Sequence, residues 1–522
     1  MSQEKLNQTD DSIIAKGKRG IIQIIFSRTM VIIVLLAVQF LLLFAWMLRL
    51  NRYAPYLLGG SYVVAAFMLI YILQTKDNPM IKLSWSIMVA VLPVFGSLLY
   101  FYVQKDIGHR VEQALIQTSI RESHKLLHKQ EPPDAADKRF LNMATYLQNY
   151  AGTNVCSNTS IKYFSLGELM FDEMLQQLET AEKFIFLEYF IIGNGYMWSR
   201  ILEVLERKAK QGVDVRVMYD GTCAVTLLPY SYPKKLQALG IQCKMFSPLR
   251  PFVSTHYNNR DHRKILVVDG HTAFTGGVNL ADEYINLTHP HGHWKDTGIM
   301  LKGEAARNLT LMFLQMWNAT EKKRDYEPFL SVQGSVDTSA PGYVIPYGDN
   351  PMDRENVGKM VYLNMVNQAK NYVYIMTPYL ILDNELITAL ELAAKRGVDV
   401  RLILPGTPDH WYVSVLAKTH YKELHEAGIK IYEYTPGFLH AKVFMCDDNE
   451  AVVGTINLDY RSLYLHFECA AYLYKTESLC DIKADFTETM KVSHLVTQEN
   501  INGQSWLLRV GGALLKVAAP LM

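Results

Sequence analysis

His262-Arg-Lys-Ile-Leu-Val-Val-Asp-Gly-His-Thr-Ala-Phe-Thr-Gly-Gly-Val-Asn279 is the stretch whose reading decides the fold. It returns further along as His440-Ala-Lys-Val-Phe-Met-Cys-Asp-Asp-Asn-Glu-Ala-Val-Val-Gly-Thr-Ile-Asn457. His262, Lys264, Asp269, Gly276 and Asn279 recur as His440, Lys442, Asp447, Gly454 and Asn457, all at one constant offset. Five polar or glycine positions in register make an internal repeat. Each copy reads as a short apolar strand, a turn, and a second strand ending in Gly-x-x-Asn. Alternation along the first strand puts His and Lys on one face. His, Lys and Asn of one hairpin can therefore converge on a point.

The flanks repeat as well. Phe184-Ile-Phe-Leu-Glu-Tyr-Phe-Ile-Ile192 parallels Val373-Tyr-Ile-Met-Thr-Pro-Tyr-Leu-Ile381, and each run leads through a helix-like stretch to the pentapeptide Gly-Val-Asp-Val-Arg, at 212–216 and 397–401. Leu236, Gly240 and Ile241 then match Leu424, Gly428 and Ile429. Strand–helix–strand units with Gly at the helix end predict parallel βαβ wiring and an α/β fold in two pseudo-symmetric lobes. Their expected bounds are 141–330 and 331–500.

Composition bounds the rest. The 522 residues suffice for two or three domains. Lys+Arg 52 against Asp+Glu 51 leaves a net charge of +1, which gives nucleic acid no bulk electrostatic reason to bind. The six cysteines form no C-x-x-C pair and read as buried small hydrophobes. Mean hydropathy is +0.02. The apolar excess lies in three runs, 30–48, 56–73 and 83–103, the last interrupted by Pro93 and Gly96. Three such runs predict an integral membrane region over 29–104, behind a basic tail at 1–28. With the tail in the cytoplasm, three crossings would place both lobes on the outer face of a cytoplasmic membrane. Residues 105–140 read as a polar linker with a short surface helix carrying Val111, Leu115, Thr118 and Ile120. Segment 501–522 is membrane-proximal, and its apolar stretch from Trp506 suits either the bilayer surface or a docked helix equally.

The chemistry follows from the duplication. An imidazole can act as nucleophile or as general acid. A lysine fixed two residues away suits a phosphate as a point charge, and an Asn amide can donate to a phosphoryl oxygen. Two facing copies supply both histidines, Lys264 and Lys442, and Asn279 and Asn457 around one phosphodiester. Electrostatic stabilisation of five-coordinate phosphorus then calls for no cofactor and no metal. Asp269 and Asp447 belong to the motif but are better placed to brace the hairpin than to attack. His289-Pro-His-Gly-His293 resembles a metal site only superficially and reads as a loop or substrate contact.

The duplicated His-x-Lys-x4-Asp with downstream Gly and Asn resembles the phospholipase D superfamily, and within it the bacterial cardiolipin synthases. Leu92-Pro-Val-Phe-Gly-Ser-Leu-Leu-Tyr100, His293-Trp-Lys-Asp-Thr297, Thr377-Pro-Tyr379 and Asn457-Leu-Asp-Tyr-Arg-Ser462 carry that likeness. The resemblance implies two α/β sandwich lobes with the site on the pseudo-twofold between them. It implies His262 as nucleophile through a phosphohistidine, His440 as acid and then base, and Asp296 and Glu468 as the downstream carboxylates that orient the histidines. The implied reaction passes a phosphatidyl group from one phosphatidylglycerol to another, giving cardiolipin and glycerol. A phospholipase D-type hydrolase or another phosphatidyltransferase is the alternative. Phosphatidylglycerol and membrane lipids are the expected partners. Two positions depart from the family pattern: a hydroxyl follows the motif glycine only as Thr455, with Gly277 in the other half, and His466 replaces an expected Asn and reads as packing.

Overall fold

Why the third apolar run does not continue as one helix is visible in two residues. Pro93 has no N–H to donate and closes the preceding helix. Three residues on, Gly96 lies so close to Met88 and Val89 that a Cβ there would stand 2.7 Å from the Met88 carbonyl oxygen and 2.8 Å from Val89 Cα. The chain folds back on itself at this point. In this computed structural model, which describes residues 37, 40–41, 54–104, 110–126, 137–248, 259–330, 340–353 and 355–521, the run forms α2 (Pro79–Val91) and α3 (Pro93–Gln104), after α1 (Ala54–Gln74). At 1.5 Å per residue α2 and α3 are each about 20 Å or less, against the roughly 30 Å of a hydrocarbon core. No helix among the described residues is long and apolar enough to cross a membrane. Run 30–48 lies outside the described residues except at 37, 40 and 41. The three helices share a core of Ala65, Met68, Ile72, Trp85, Val89, Phe95, Leu99 and Tyr100. They leave Val63, Phe67, Ile70, Leu73, Val91 and Leu98 exposed.

The second compact unit holds both copies of the repeat. Its first sheet has seven strands: β1 (Thr159–Phe164), β2 (Phe184–Tyr189), β3 (Asp214–Asp220), β4 (Gln242–Phe246), β5 (Lys264–Val268), β6 (Thr272–Gly276) and β8 (Gly298–Gly303). The short β7 (His293–Lys295) stands apart from it. The second sheet has eight: β9 (Tyr343–Asp349), β10 (Tyr372–Met376), β11 (Asp399–Pro405), β12 (Lys430–Tyr434), β14 (Val443–Cys446), β15 (Glu450–Gly454), β16 (Glu468–Tyr474) and β17 (Ser493–Leu495), with β13 (Gly437–Leu439) paired to β7 instead. β2–β3–β4 and β10–β11–β12 are parallel, as the βαβ spacing predicts. The crossover helices α4 (Tyr196–Lys210) and α6 (Asn384–Lys395) end before Gly212 and Gly397, both at φ +92°, a turn only glycine makes cheaply. Between the two helices in sequence lies α5 (Ala305–Trp317), in which only Arg307 stays out of the core.

The motif strands β5 and β14 sit inside their sheets, and their alternation divides two cores. Ile265, Val267, Val443 and Met445 join α5 in a core shared by the inner faces of both sheets. Leu266 and Val268 face the outer core of the first lobe, and Phe444 and Cys446 that of the second. The linker helix runs Arg110–His124; Val111 and Leu115 lie exposed, and its buried face is Ile116, Ser119 and Ser123. The small serines allow close packing: the Ser119 hydroxyl meets Tyr326 Oη at 2.7 Å, and Ser123 accepts from Gln315. The C-terminal helix α8 (Trp506–Ala518) docks on α7 (Trp411–Glu426), Gly512 lying against Thr419 and Lys516 near Glu423. Trp506, Leu507 and Leu514 of α8 stay exposed.

Candidate active site

Each histidine is reached by the other half of the chain. The His262 N–H donates to the Phe467 carbonyl at 2.9 Å, and the His440 N–H to the Lys295 carbonyl at 2.7 Å. These crossings set the side chains. Nδ1 of His262 lies 2.9 Å from both carboxylate oxygens of Glu468. Nδ1 of His440 lies 2.6 Å from Asp296 Oδ2. Asp296 and Glu468 thus each serve the histidine of the opposite half. With Nδ1 held as the donor, each ring keeps Nε2 as its free nitrogen.

The surroundings are dry. His262, Lys264, His440 and Lys442 are all buried. Burial pushes His262 down to about 3, against the pull of Glu468, and His440 down to about 4, against Asp296. Burial likewise lowers Lys264 to about 8 and Lys442 to about 7. Burial alone would raise Glu468, yet His262 and His466 hold it well below the usual carboxylate range. Each lysine donates back to the carbonyl of its own histidine, Lys264 to His262 at 2.6 Å and Lys442 to His440. Lys264 is near enough to weigh on both His440 and Lys442, so the two motifs share one site. Between His262 and Lys264, Arg263 turns to the opposite face, where Glu188 and Asp261 pair its buried charge.

The remaining motif residues divide. The Asp269 carboxylate accepts from the backbone N–H groups of Glu182, Lys183 and Phe184 at 2.7–2.8 Å. Asp447 does the same for Lys370, Asn371 and Tyr372 at 2.7–3.0 Å. Neither carboxylate is bonded to His262 or His440; each ties the hairpin turn to the start of the neighbouring strand. Asn279 is held at both ends, Oδ1 accepting from Ile191 N–H and Nδ2 donating to Tyr284 Oη. Asn457 is buried with no hydrogen-bond partner for its Oδ1.

Gly277 and Thr455 also separate the halves. A Cβ at 277 would stand 2.0 Å from Asp296 Oδ1, so glycine there makes room for that carboxylate. In the other half Thr455 donates its hydroxyl to Glu468. Sequence reasoning missed Arg139, which reaches Glu450 at 2.7 Å and Asp447 at 3.4 Å from far upstream; no local pattern marks it. Among the described residues, His262, His466 and Glu468 alone form a cluster of potential metal ligands, with ligand atoms within 4.8 Å of one another. Hydrogen bonds from His262 and Thr455 already occupy its carboxylate. His293 of the histidine-rich loop contacts Tyr434 Oη at 2.9 Å.

Comparison with known proteins agrees with this architecture. The family described as cardiolipin synthase, PLD-like domain matches residues 174–317 and 362–490, and a phospholipase D-nuclease N-terminal family matches 63–104. A cardiolipin synthase of Geobacillus kaustophilus is 33% identical over 466 residues, covering 87% of this chain and 92% of its own. An uncharacterized protein of Streptococcus mutans is 49% identical over 460 residues, covering 87% of this chain and 99% of its own. The crystal structure of a phosphatidylserine synthase from Haemophilus influenzae superposes with a TM-score of 0.54 at 13% identity, covering 73% of this chain and 98% of that one. That last likeness is one of fold.

Proposed function

Because the chain belongs to the PLD-like cardiolipin synthase family, we propose that it is a phosphatidyltransferase that joins two phosphatidylglycerols into cardiolipin and releases glycerol. The observation that carries the reading is the crossed pairing of His262 with Glu468 and of His440 with Asp296, which frees two Nε2 atoms beside two lysines. In the first step the Nε2 lone pair of His262 bonds to phosphorus. With the anionic phosphodiester bound, His440 enters this step as the imidazolium, its Nδ1–H held by Asp296. The bond from phosphorus to the headgroup oxygen breaks, and Nε2–H of His440 protonates the departing glycerol, leaving His440 neutral. In the second step a hydroxyl of another phosphatidylglycerol bonds to phosphorus as the P–N bond breaks, and its proton returns to His440. Lys264 and Lys442 neutralise the charge that grows on the phosphoryl oxygens. The Nδ2–H groups of Asn457 and the second Nδ2–H of Asn279 can donate to the same oxygens, while Asn279 also holds Tyr284 and the backbone after β2. Asp269 and Asp447 brace the hairpins.

The membrane is where both substrates lie, and the exposed apolar faces of α1–α3 and α8 suit it. No helix over 54–104 is long and apolar enough to cross, which leaves run 30–48 as the candidate crossing. With the basic tail in the cytoplasm, one crossing there puts the lobes on the outer face, the side that three crossings would also give.

The reaction is tested with the full-length protein in vesicles of phosphatidylglycerol labelled in its headgroup glycerol, with chelator present and CDP-diacylglycerol absent. Cardiolipin and glycerol should appear in equal amounts, and H262A and H440A should each lose about a thousandfold or more of the rate, since the two act as a unit. Glycerol with phosphatidate in place of cardiolipin would make the enzyme a hydrolase at the same site. Near-normal rates in either variant would refute the shared site.

A further inference from the structure

The two halves share a motif yet set different groups against their histidines. Trp294 and His466 hold corresponding places, each two residues before the carboxylate that crosses to the other half. The Trp294 ring lies 5.6 Å from that of His440 at a tilt of 47°. The His466 ring lies 5.4 Å from that of His262 at 44°. On their other sides Phe190 meets His262 edge-on at 5.0 Å, and Tyr284 meets His440 edge-on at 5.4 Å. The geometry is repeated and the chemistry is not: an indole on one side, a second imidazole on the other. The His466 side chain is only 10% exposed, and its Nδ1 stands 3.6 Å from Glu468 Oε1 without a closer partner.

We propose that His466 is a positioning residue: set against Glu468, it takes up part of that carboxylate's negative charge and so keeps His262 the unprotonated member of the histidine pair. The proposal rests on the two-histidine reading above and deepens it by giving a structural reason for which histidine attacks. A carboxylate beside an imidazole favours the protonated ring. Glu468, shared between two imidazoles, supports a charge on His262 less than it otherwise would. Among the described residues Asp296 has no such second imidazole; its Oδ1 accepts from the Thr297 N–H. His440 is left with the firmer hold on a proton, as a general acid requires. The other ionisable groups that act on Glu468 or His262 include Lys264 on β5, Lys442 just before β14, Asp349 on β9, paired in register with Glu468, and the buried Tyr362. The lysines come one from each motif; His466 and the Thr455 hydroxyl set Glu468 apart from Asp296, and His466 is the one that titrates near neutrality in free form.

The test measures kcat/KM for full-length wild type, H466F and H466Q between pH 3 and 7 in phosphatidylglycerol vesicles, with acid-labile, alkali-stable phosphoryl–protein adduct quantified after rapid quenching. Removing the imidazole frees Glu468 to hold a proton on His262, so the acid limb should move to higher pH. The ratio of the value at pH 4 to that at pH 6.5 should fall about tenfold in H466F. H466Q, which keeps a hydrogen-bond donor but no imidazole, should fall between. An acid limb unchanged in both variants, or a loss uniform across pH, overturns the proposal and leaves the reaction standing. A wild type that makes neither cardiolipin nor adduct overturns the two-histidine reading itself.

Discussion

Lys264 and Lys442 are the residues through which pH should reach the substrate. Both are buried, and burial lowers them to about 8 and about 7. A lysine whose value is lowered keeps its charge below that value and loses it above, so the empty site loses positive charge as pH rises through 7 to 8. A bound phosphodiester, being an anion, raises both lysines again. KM should therefore climb between pH 7 and 9 while kcat holds to higher pH, which initial rates over a range of lipid mole fraction would show. A KM flat from pH 6 to 9 would mean that the lysines do not meet the phosphate. The convergence of these residues was legible in the sequence because His-x-Lys occurs twice with Asp and Asn in register. The partner of each histidine was not. Asp296 and Glu468 stand out downstream of their own motifs, but the contact crosses to the other half, and strand pairing between distant segments leaves no local pattern. His466 looked like packing for the same reason, since its neighbour His262 belongs to the other half.

At the scale of elements, the hairpin is held by its aspartate. Asp269 and Asp447 sit at φ 50° and 52°, in the left-handed region that Asp tolerates better than most residues, and each carboxylate gathers three backbone N–H groups at the foot of a neighbouring strand. Asp447 carries the further support of Arg139. Replacing Asp269 with Asn keeps the shape but removes the charge behind those bonds. D269N should lose about 1–3 kcal/mol of stability, seen as a lower midpoint in thermal or denaturant unfolding, with turnover per folded molecule reduced far less than in H262A. A loss of turnover as large as that of the histidine variant, at unchanged stability, would assign the aspartate to the chemistry. The strands of both hairpins were readable from apolar runs and turn residues. The fold-back at Pro93 and Gly96 was not, because hydropathy marks the residues of an apolar run and is blind to where they bend.

For the whole molecule the open variable is the side of the membrane, and one cysteine reports it. Cys156, Cys223, Cys243, Cys446 and Cys469 are buried, whereas Cys480, on the helix Ser478–Lys491 of the second lobe, is exposed. Burial raises the thiols of the five buried cysteines. A thiol reagent needs both access and thiolate, so at neutral pH a maleimide should find Cys480 first. One crossing by run 30–48, like three crossings, puts that thiol outside the cell; no crossing, or a second at 56–73, leaves it inside. With α1–α3 unable to cross, a membrane-impermeant maleimide should label the wild type in intact cells and leave C480S blank. Labelling that appears only once the membrane is permeabilised would mean an even number of crossings or none, and the phosphatidylglycerol consumed would then be that of the cytoplasmic leaflet.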